Sequence, residues 1–312
     1  MKLKEMLHTL FDIDLPISGG NSQSIDTPII IDKDEPSDYV GTQYAVIMKY
    51  KTRKNQLFTL LSIVTLTLTM ASCTNSNKDN DWKGYNLSGK VKTLKETTYE
   101  AEEKFGKIEK GKIRKYSNNQ IQQIKFNKKG YRTEINSYES DGELKEKYIF
   151  EYDNKDNKSE QKIYDSDGSL RFKYLYKYDK KGILIEESIY NSDGSLFYKF
   201  LFEYDKNKKL RGMNSYDSDG ELQEKYVFEY DKKRCKSEQK TYDSDGSLKY
   251  KFFHKYDKKR NLTETTIVDK LDQKYEYKYE YEFDKKGNWI NRIEFKNNIP
   301  NEITEREIEY FD

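Results

Sequence analysis

Paired carboxylates recur along the middle of the chain, and such pairs can bind calcium ions or exchange protons during hydrolysis. One pair lies in the Asp-Ser-Asp-Gly motif at 165–168, and Asp217 and Asp219 form another. An EF-hand loop requires a glutamate at its twelfth position and a helix on each side. The twelfth residue from Asp165 is Tyr176, and the flanking sequence predicts strands. We therefore interpret the motif as a turn and predict no metal site.

The repetition of these acidic pairs also argues against catalysis. Four of the five copies of the motif carry the pair, with Asn191 in the remaining one, whereas an enzyme does not repeat its active site along a repeat array. Asp, Ser and Gly are the residues that turns require, which explains the motif without any chemistry. A hydrolase that uses two carboxylates would need one pair outside the repeats. No such pair stands out in the sequence, so we predict no catalytic residue and no cofactor.

Histidine and cysteine are too scarce for a metal centre or a nucleophilic pair, since the chain has two of each. His254 occupies a position that Tyr176 and Phe202 hold in other copies of the repeat, so packing is favoured over metal binding. Cys235 replaces Asn157 of an earlier copy. We interpret Cys235 as an incidental free thiol.

These residues belong to a tandem array with a 26-residue period between Tyr138 and Arg260. Two kinds of residue mark the period, glycines that close a Ser-Asp-Gly and tyrosines that open a Tyr-Asp pair: Gly142, Gly168, Gly194, Gly220 and Gly246, and Tyr152, Tyr178, Tyr204, Tyr230 and Tyr256. A fixed period of this length indicates a repeat architecture. Segments 138–182 and 216–260 match at 32 of 45 positions, so the array grew by duplication.

Each copy is predicted to be a β-hairpin followed by a turn into the next hairpin. The Asp-Gly at 167–168 is typical of a two-residue type I′ turn. Ring-bearing residues then alternate with other residues, which is the period of a half-buried strand. With the turn at 167–168, Ile163 faces Phe172 and Gln161 faces Tyr174 across the hairpin.

Neighbouring hairpins must pair edge to edge, because one copy cannot bury enough apolar surface to fold alone. The predicted fold class is all-β, with tandem 26-residue β-hairpin repeats forming one long curled antiparallel meander sheet over residues 86–312. The last predicted strand, Ile303 to Phe311, closes the sheet. Its Glu and Arg residues are expected to protect a free edge.

The ring-bearing face of this sheet has two interpretations. It is either the buried side of the sheet or, if the sheet stays open, a surface on which sugar rings stack. The tyrosines predicted for surface binding in the second case are Tyr174, Tyr176, Tyr198, Tyr250, Tyr277 and Tyr279. We favour packing, and we keep a glycan-binding surface module as the alternative function.

The charge balance excludes one class of partner. The chain has 57 basic and 55 acidic residues and a formal net charge of +2. A dedicated nucleic-acid surface usually has a clear basic excess, so no nucleic acid is predicted as a partner. The mean hydropathy of −1.08 could indicate disorder, but 28 Tyr and 15 Phe at strand spacing favour a folded sheet.

The amino-terminal region differs from the repeats. Residues 1–47 contain Pro and Gly but no Tyr-Asp motif, and they are either an extra segment or an over-extended gene start, of which we favour the second. Residues 48–72 begin with a basic stretch, continue with an apolar run from Leu57 to Ala71, and end in small residues. That order is typical of a secretory signal peptide.

The end of this segment, Met-Ala-Ser-Cys at 70–73, resembles the lipobox of bacterial lipoproteins. The resemblance implies cleavage before Cys73, acylation of Cys73 and export to the envelope. Thr74, rather than Asp, follows the cysteine, which in bacteria with two membranes implies sorting to the outer membrane. Residues 73–85 are polar and are predicted to be a tether ahead of the repeat domain at 86–312.

The Tyr-Lys-Tyr-Asp-Lys-Lys-Gly at 176–182 and the Tyr-Glu-Phe-Asp-Lys-Lys-Gly at 281–287 resemble the YD repeats of bacterial RHS-type proteins. The resemblance covers residues 116–312 and implies long antiparallel sheets that curl into a shell, often around a secreted toxin. This chain is short and carries no toxin-like segment after the array. MORN-like hairpin repeats are the other similar group.

The sequence thus predicts a non-enzymatic, lipid-anchored protein of the bacterial envelope, at the outer membrane or the cell surface. Its repeat sheet is expected to serve as a binding or scaffold surface. The predicted partners are the membrane, through a lipid on Cys73, and a protein or glycan of the envelope.

Overall fold

The computed structural model describes residues 80–114 and 121–312, all of which belong to the compact unit Met70–Asp312. The predicted extension at 1–47, the signal peptide at 48–72 and the first residues of the tether lie outside the described part of the chain.

The described residues form one short helix and a long series of strands. These are α1 (Asp81–Gly84), β1 (Val91–Lys104), β2 (Lys107–Ile113), β3 (Ile121–Phe126), β4 (Arg132–Tyr138), β5 (Leu144–Tyr152), β6 (Lys158–Asp165), β7 (Leu170–Tyr178), β8 (Leu184–Asn191), β9 (Leu196–Tyr204), β10 (Leu210–Asp217), β11 (Leu222–Tyr230), β12 (Lys236–Asp243), β13 (Leu248–Tyr256), β14 (Leu262–Asp269), β15 (Lys274–Phe283), β16 (Trp289–Lys296) and β17 (Ile299–Tyr310).

The strands close into an antiparallel barrel, so the predicted all-β hairpin architecture is confirmed but the open meander is wrong. Each strand from β3 to β16 pairs with the next, and β17 pairs with β1. On its opposite edge, β1 pairs with β3 over 93–97 and with β2 over 99–104. The ring therefore contains β1 and β3 to β17, and β2 continues along β1 beyond β3.

Closure also overturns the prediction of a protected edge at Ile303–Phe311. Strand β17 pairs with β16 on one side and with β1 on the other, so neither edge is free. The inward-facing Arg306 contacts Glu96 of β1, at 2.8 Å from Nε to Oε1. Its charge therefore serves a contact inside the barrel and does not repel other sheets.

The hairpin turns lie where the sequence predicts them, but their type differs. The Gly168 N–H donates to the Asp165 carbonyl at 3.0 Å, and only Gly168 of this turn has a positive φ, +82°. This is a type I turn followed by a left-handed glycine and a bulge, whereas a type I′ turn needs two positive φ values. The predicted pairs Ile163–Phe172 and Gln161–Tyr174 are both present.

The ring-bearing face lines the inside of the barrel. Ile163, Tyr174 and Phe228 are each at most 1% exposed, and Ile135 and Ile189 are fully buried. Alternate residues on these strands face outward, because successive strand side chains point to opposite faces. The apolar core of the described chain is therefore the inner wall of the barrel.

The outer face carries ion pairs between neighbouring strands. Lys162 of β6 lies 3.2 Å from Glu151 of β5, and Lys173 of β7 lies 2.7 Å from Glu160 of β6. The same arrangement recurs at Lys240 and Glu229, 3.6 Å apart. Partly exposed pairs of this kind contribute little stability, but they make the outer face one that water solvates.

Candidate functional site inside the barrel

The chain enters the barrel at one end through residues 80–90, which fasten to three different turns. Asn80 donates to the Lys129 carbonyl at 2.7 Å, and Asn86 donates to the Lys259 carbonyl at 3.1 Å. The Ser88 N–H donates to Asn288 Oδ1 at 2.6 Å, and the Asn288 amide donates back to the Ser88 carbonyl. These contacts span the three hairpin turns at 127–131, 257–261 and 284–288, so the segment lies across this end of the barrel.

A buried ion pair also fixes the segment at 80–90 to strand β4. Asp81 accepts hydrogen bonds from Arg132 Nε at 3.0 Å, from the Arg132 backbone N–H at 2.8 Å and from the Tyr152 hydroxyl at 3.1 Å. Burial opposes the charge on Asp81, but Arg132 and these hydrogen bonds outweigh it and hold the pKa of the carboxyl below its usual value. The Arg132 guanidinium also stacks on Phe150, with Cζ 4.8 Å from the ring centroid.

The last hairpin of the array carries a cluster of charges into the barrel interior. Arg306 lies over the Trp289 ring at 3.4 Å from its centroid, and Arg292 lies 5.5 Å from the same centroid. Glu96 neutralises Arg306, and Glu302 lies 3.4 Å from Arg292. We refer to these residues together with Glu294 as the interior charge cluster.

Each of the two arginines in the cluster has an N–H without a hydrogen-bond partner. These are Nη1 of Arg306 and Nε of Arg292, both of them buried atoms. An unsatisfied buried donor is costly, so such groups usually mark a bound water, an ion or a ligand. Oxygen acceptors of a carboxylate or a sugar hydroxyl would satisfy both arginines.

Two carboxylates of the cluster face each other across β16 and β17. Glu294 and Glu302 are register partners, and Glu302 also forms an ion pair with Arg114 at 3.1 Å. Burial, together with the charge of Glu302, raises the pKa of Glu294 to about 7. This pair can hold and release a proton near neutral pH, since one carboxyl of a close pair resists ionisation.

A second set of polar side chains lies inside the barrel on strands β6, β7 and β8. Lys158 lies over the Tyr176 ring, with Nζ 4.2 Å from its centroid, and burial with nearby Arg132 lowers the pKa of Lys158 to about 8. Burial raises the pKa of Glu187, which the charge of Lys158 opposes. The hydroxyl of fully buried Tyr174 has no hydrogen-bond partner.

The six tyrosines predicted for surface binding all lie on the inward-facing side. Tyr174 and Tyr277 are 0% and 8% exposed, so a ligand on the outer surface could stack on neither. Tyr176, Tyr198, Tyr250 and Tyr279 are half-buried. A binding role for these four therefore stays a prediction, and it would require access from inside the barrel.

The predictions for the two cysteines and for His254 have different outcomes. Cys73, the predicted lipidation site, lies outside the described residues. Cys235 is buried and disulfide-bonded, so the prediction of a free thiol is wrong. His254 lies in the inner stripe with Nδ1 3.1 Å from Thr265 Oγ1 and its ring stacked 6.3 Å from Phe252. Packing of His254 is what the sequence predicted.

Sequence reasoning missed the interior charge cluster. Arg292 and Glu294 are aligned with Tyr281 and Tyr279 of the preceding strand, whose rings face inward. Pairing across the turn at 284–288 would therefore have placed both charges inside. In the earlier copies the position of Glu294 carries uncharged residues, and the position of Arg292 is charged only as Glu187 of β8, so the departure from the repeat was the available signal.

Within the described ranges, no group of three His, Cys, Asp or Glu side chains is arranged to hold a metal ion. No helix in residues 80–114 and 121–312 is long and apolar enough to cross a membrane.

Comparison with known proteins finds neither a protein-family model nor a curated protein that matches the chain. Among solved structures, a porin-like protein from Bacteroides uniformis is 12% identical with a TM-score of 0.47, and the match covers 71% of this chain and 99% of that one. A porin-like protein from Bacteroides vulgatus is 14% identical with a TM-score of 0.26, covering 71% and 98%. The Photorhabdus luminescens Tc holotoxin pore is 13% identical with a TM-score of 0.25, covering 59% of this chain and 12% of that one.

Proposed function

We propose that this chain is an exported bacterial envelope protein, anchored by a lipid on Cys73, whose barrel lies in water and acts by binding rather than by catalysis. The observation that carries the proposal is the charged outer face. Ion pairs such as Lys162–Glu151 and Lys173–Glu160 stand at mid-strand, where a barrel that spans a membrane needs an apolar band. Each lysine in hydrocarbon would cost about 2–4 kcal/mol, so the attachment to a membrane must come from elsewhere.

A lipid on Cys73, to which the signal-like segment at 48–72 would direct the processing enzymes, supplies that attachment. A single acyl chain gives weak membrane binding, whereas the multiple chains of a lipoprotein anchor hold a polar domain firmly. The polar residues that follow Cys73 suit a tether between the lipid and the barrel.

Metabolic labelling with an alkyne fatty acid in a bacterial host tests the anchor. We expect label on the wild-type chain, fractionation with membranes, and loss of both in Cys73→Ser. An unlabelled wild-type chain recovered with residues 48–72 still attached would refute the proposal.

Mass spectrometry of the mature chain adds a second test. A thioether at Cys73 would leave the Cys235 sulfur without an intramolecular cysteine partner, because the sequence has two cysteines. Lipidation of Cys73 and an intramolecular disulfide at Cys235 are therefore mutually exclusive. A lipid-modified amino-terminal peptide together with a free Cys235 thiol supports anchoring, and a disulfide-linked peptide pair contradicts it.

The binding role draws on the polar interior. Most charges there are neutralised within the barrel, as with Asp81–Arg132 and Glu96–Arg306. Such pairs organise a rigid wall but leave few groups for chemistry, which favours a binding or scaffold role with a protein or glycan partner in the envelope. Affinity capture on the purified chain, repeated with an alanine replacement at Arg292, would show whether the cluster contributes.

One observation favours an alternative, hydrolysis by two carboxylates. Glu294 and Glu302 form a pair that is not repeated along the array, and Glu294 with a pKa of about 7 is suited to donate a proton. Release of reducing sugar from envelope polysaccharides by the wild-type chain, and its loss in Glu294→Gln, would establish it. Glu238→Gln, which changes an outer-face carboxylate, is the matched control.

A further inference from the structure

The two ends of the barrel carry opposite charge. Antiparallel hairpins place alternate turns at opposite ends, so the turns fall into two sets. The basic rim consists of the turns at 127–131, 153–157, 179–183, 205–209, 231–235, 257–261 and 284–288. The acidic rim consists of the turns at 139–143, 165–169, 191–195, 217–221, 243–247 and 269–273, and the turns at 104–107 and 296–299 lie at the same end.

The imbalance is large at both ends. The basic rim holds 16 Lys and Arg against 7 Asp, whereas the acidic rim together with the turns at 104–107 and 296–299 holds 13 Asp and Glu against 4 Lys. A chain with a net charge of +2 therefore has a strong charge separation along its barrel axis. The nearly equal numbers of basic and acidic residues in the whole sequence conceal this charge separation.

Aspartates of the basic rim accept hydrogen bonds from backbone N–H groups of their own turns. Asp179 accepts the backbone N–H groups of Lys181 and Ile183, each at 2.8 Å, and Asp231 does the same for Lys233 and Cys235. These two carboxylates serve their own turns, and the lysines between them are exposed, whereas Asp156 pairs with Lys129 at 2.7 Å within the rim. The rim therefore presents ammonium groups outward.

The amino-terminal segment enters at the basic rim. Asn80 binds the carbonyl of Lys129, and Asn86 binds that of Lys259, both in basic-rim turns. Cys73 precedes Asn80 by seven residues, which span about 25 Å at most when fully extended. Any surface to which Cys73 is attached must therefore lie within reach of this end of the barrel.

We propose that the basic rim docks on an anionic lipid surface, with the acidic rim pointing away. Lysines near such a surface are attracted to it, and the attraction falls off within a Debye length of about 10 Å. A basic patch beside a lipid anchor is a second, independent membrane signal. The membrane-anchored orientation rests on the proposed function, but the affinity of the rim for anionic lipid does not.

Vesicle co-sedimentation tests this with the full chain carrying Cys73→Ser, so that failure of lipidation cannot affect the result. Binding to phosphatidylglycerol vesicles is expected to exceed binding to phosphatidylcholine vesicles and to weaken as NaCl is raised. The rim variant replaces Lys180, Lys206, Lys232 and Lys258 by Gln. It should lose about tenfold or more in affinity for the anionic vesicles.

The matched control is a wall variant with the same change in net charge, in which Lys147, Lys173, Lys225 and Lys251 become Gln. These lysines lie at mid-strand on the outer face. An equal loss in both variants would overturn the proposal, as would equal binding to the two lipids. Binding to soluble polyphosphate but not to vesicles would also overturn it.

Intrinsic fluorescence reports the orientation. The chain has two tryptophans, and both lie toward the basic rim: Trp82 donates its backbone N–H to the Gly130 carbonyl, and Trp289 begins β16 directly after the turn at 284–288. Energy transfer from tryptophan to dansyl-labelled headgroups is expected in vesicles that bind the chain. Bound chain without transfer would contradict docking through this end.

Discussion

At the scale of single residues, the repeats act as internal comparisons for one another. His254 stands where Tyr176, Phe202 and Phe228 stand in other copies, and all four share the inner stripe. Burial, with the nearby Lys236 ammonium, lowers the pKa of His254 to about 3. The ring is therefore neutral in the folded chain over the physiological range.

This makes the stability contribution of His254 pH-dependent. Below its ordinary pKa of about 6.5 the unfolded chain gains a proton that the folded chain refuses. The stability present above pH 6.5 is thus lost as the pH falls toward 3. We predict that the unfolding free energy of His254→Phe, compared with that of the wild type, rises by about 1–2 kcal/mol between pH 8 and pH 5. Urea denaturation of both proteins at the two pH values measures this difference.

The matched control for this prediction is Phe202→His. It should introduce the same acid sensitivity at the equivalent position of another copy. Parallel pH profiles for the wild type and His254→Phe would show that His254 titrates normally.

At the scale of elements, the turns show a conflict between backbone conformation and residue type. Gly182 and Gly287 have φ values of +77° and +84° in the fourth position of their turns, where Lys208 has +62°. A non-glycine residue in the left-handed region costs about 1 kcal/mol. The chain accepts this strain at Lys208, which lies in the basic rim.

Replacing Lys208 by Gly should therefore stabilise the protein by about 0.5–1 kcal/mol. The reverse change, Gly182→Lys, should destabilise it by a similar amount, since the space around Gly182 admits a side chain. Thermal unfolding of the two variants and the wild type provides the comparison. A Gly182→Lys chain as stable as the wild type would contradict the assignment of strain.

The amino-terminal segment at 80–90 is held by hydrogen bonds to three turns and by the Asp81–Arg132 ion pair. Asp81→Asn removes the charge that neutralises Arg132 but leaves the shape unchanged. Removing one partner of a buried pair is costly, so we predict a loss of about 2–4 kcal/mol in unfolding free energy and faster proteolysis within 80–90. Glu307→Gln, which removes a partner that is 71% exposed from the pair with Lys95, should cost less than about 1 kcal/mol.

The element scale is also where the sequence was most informative. The Gly and Tyr-Asp spacing located every repeat hairpin, and alternation placed rings such as Tyr174 on one face. The turn type was wrong because Asp-Gly fits both a type I′ turn and a type I turn with a left-handed glycine. The interior charge cluster was not found because its last hairpin departs from the 26-residue period.

At the scale of the whole molecule, closure was the feature that local patterns could not supply. A ladder of hairpins specifies each neighbour but says nothing about whether the first strand meets the last. The seam depends on β1, which has no Tyr-Asp motif and pairs with β17, β2 and β3. Closing the ring also gathers the alternate turns of the hairpins into two rims, one at each end of the barrel.

The seam can be tested directly by a cross-link. Thr98 of β1 and Thr304 of β17 are register partners with their hydroxyl oxygens 3.4 Å apart, although 206 residues separate them in the chain. We predict that a Thr98→Cys, Thr304→Cys chain forms a disulfide under mild oxidation, detected by peptide mass mapping, and unfolds at a higher denaturant concentration, because the bond restrains a long loop of the unfolded chain. Thr93→Cys with Thr304→Cys places the thiols out of register on the same two strands and should not cross-link. Equal cross-linking of both pairs, or of neither, would mean that β1 and β17 do not form a fixed seam and that the sheet is open.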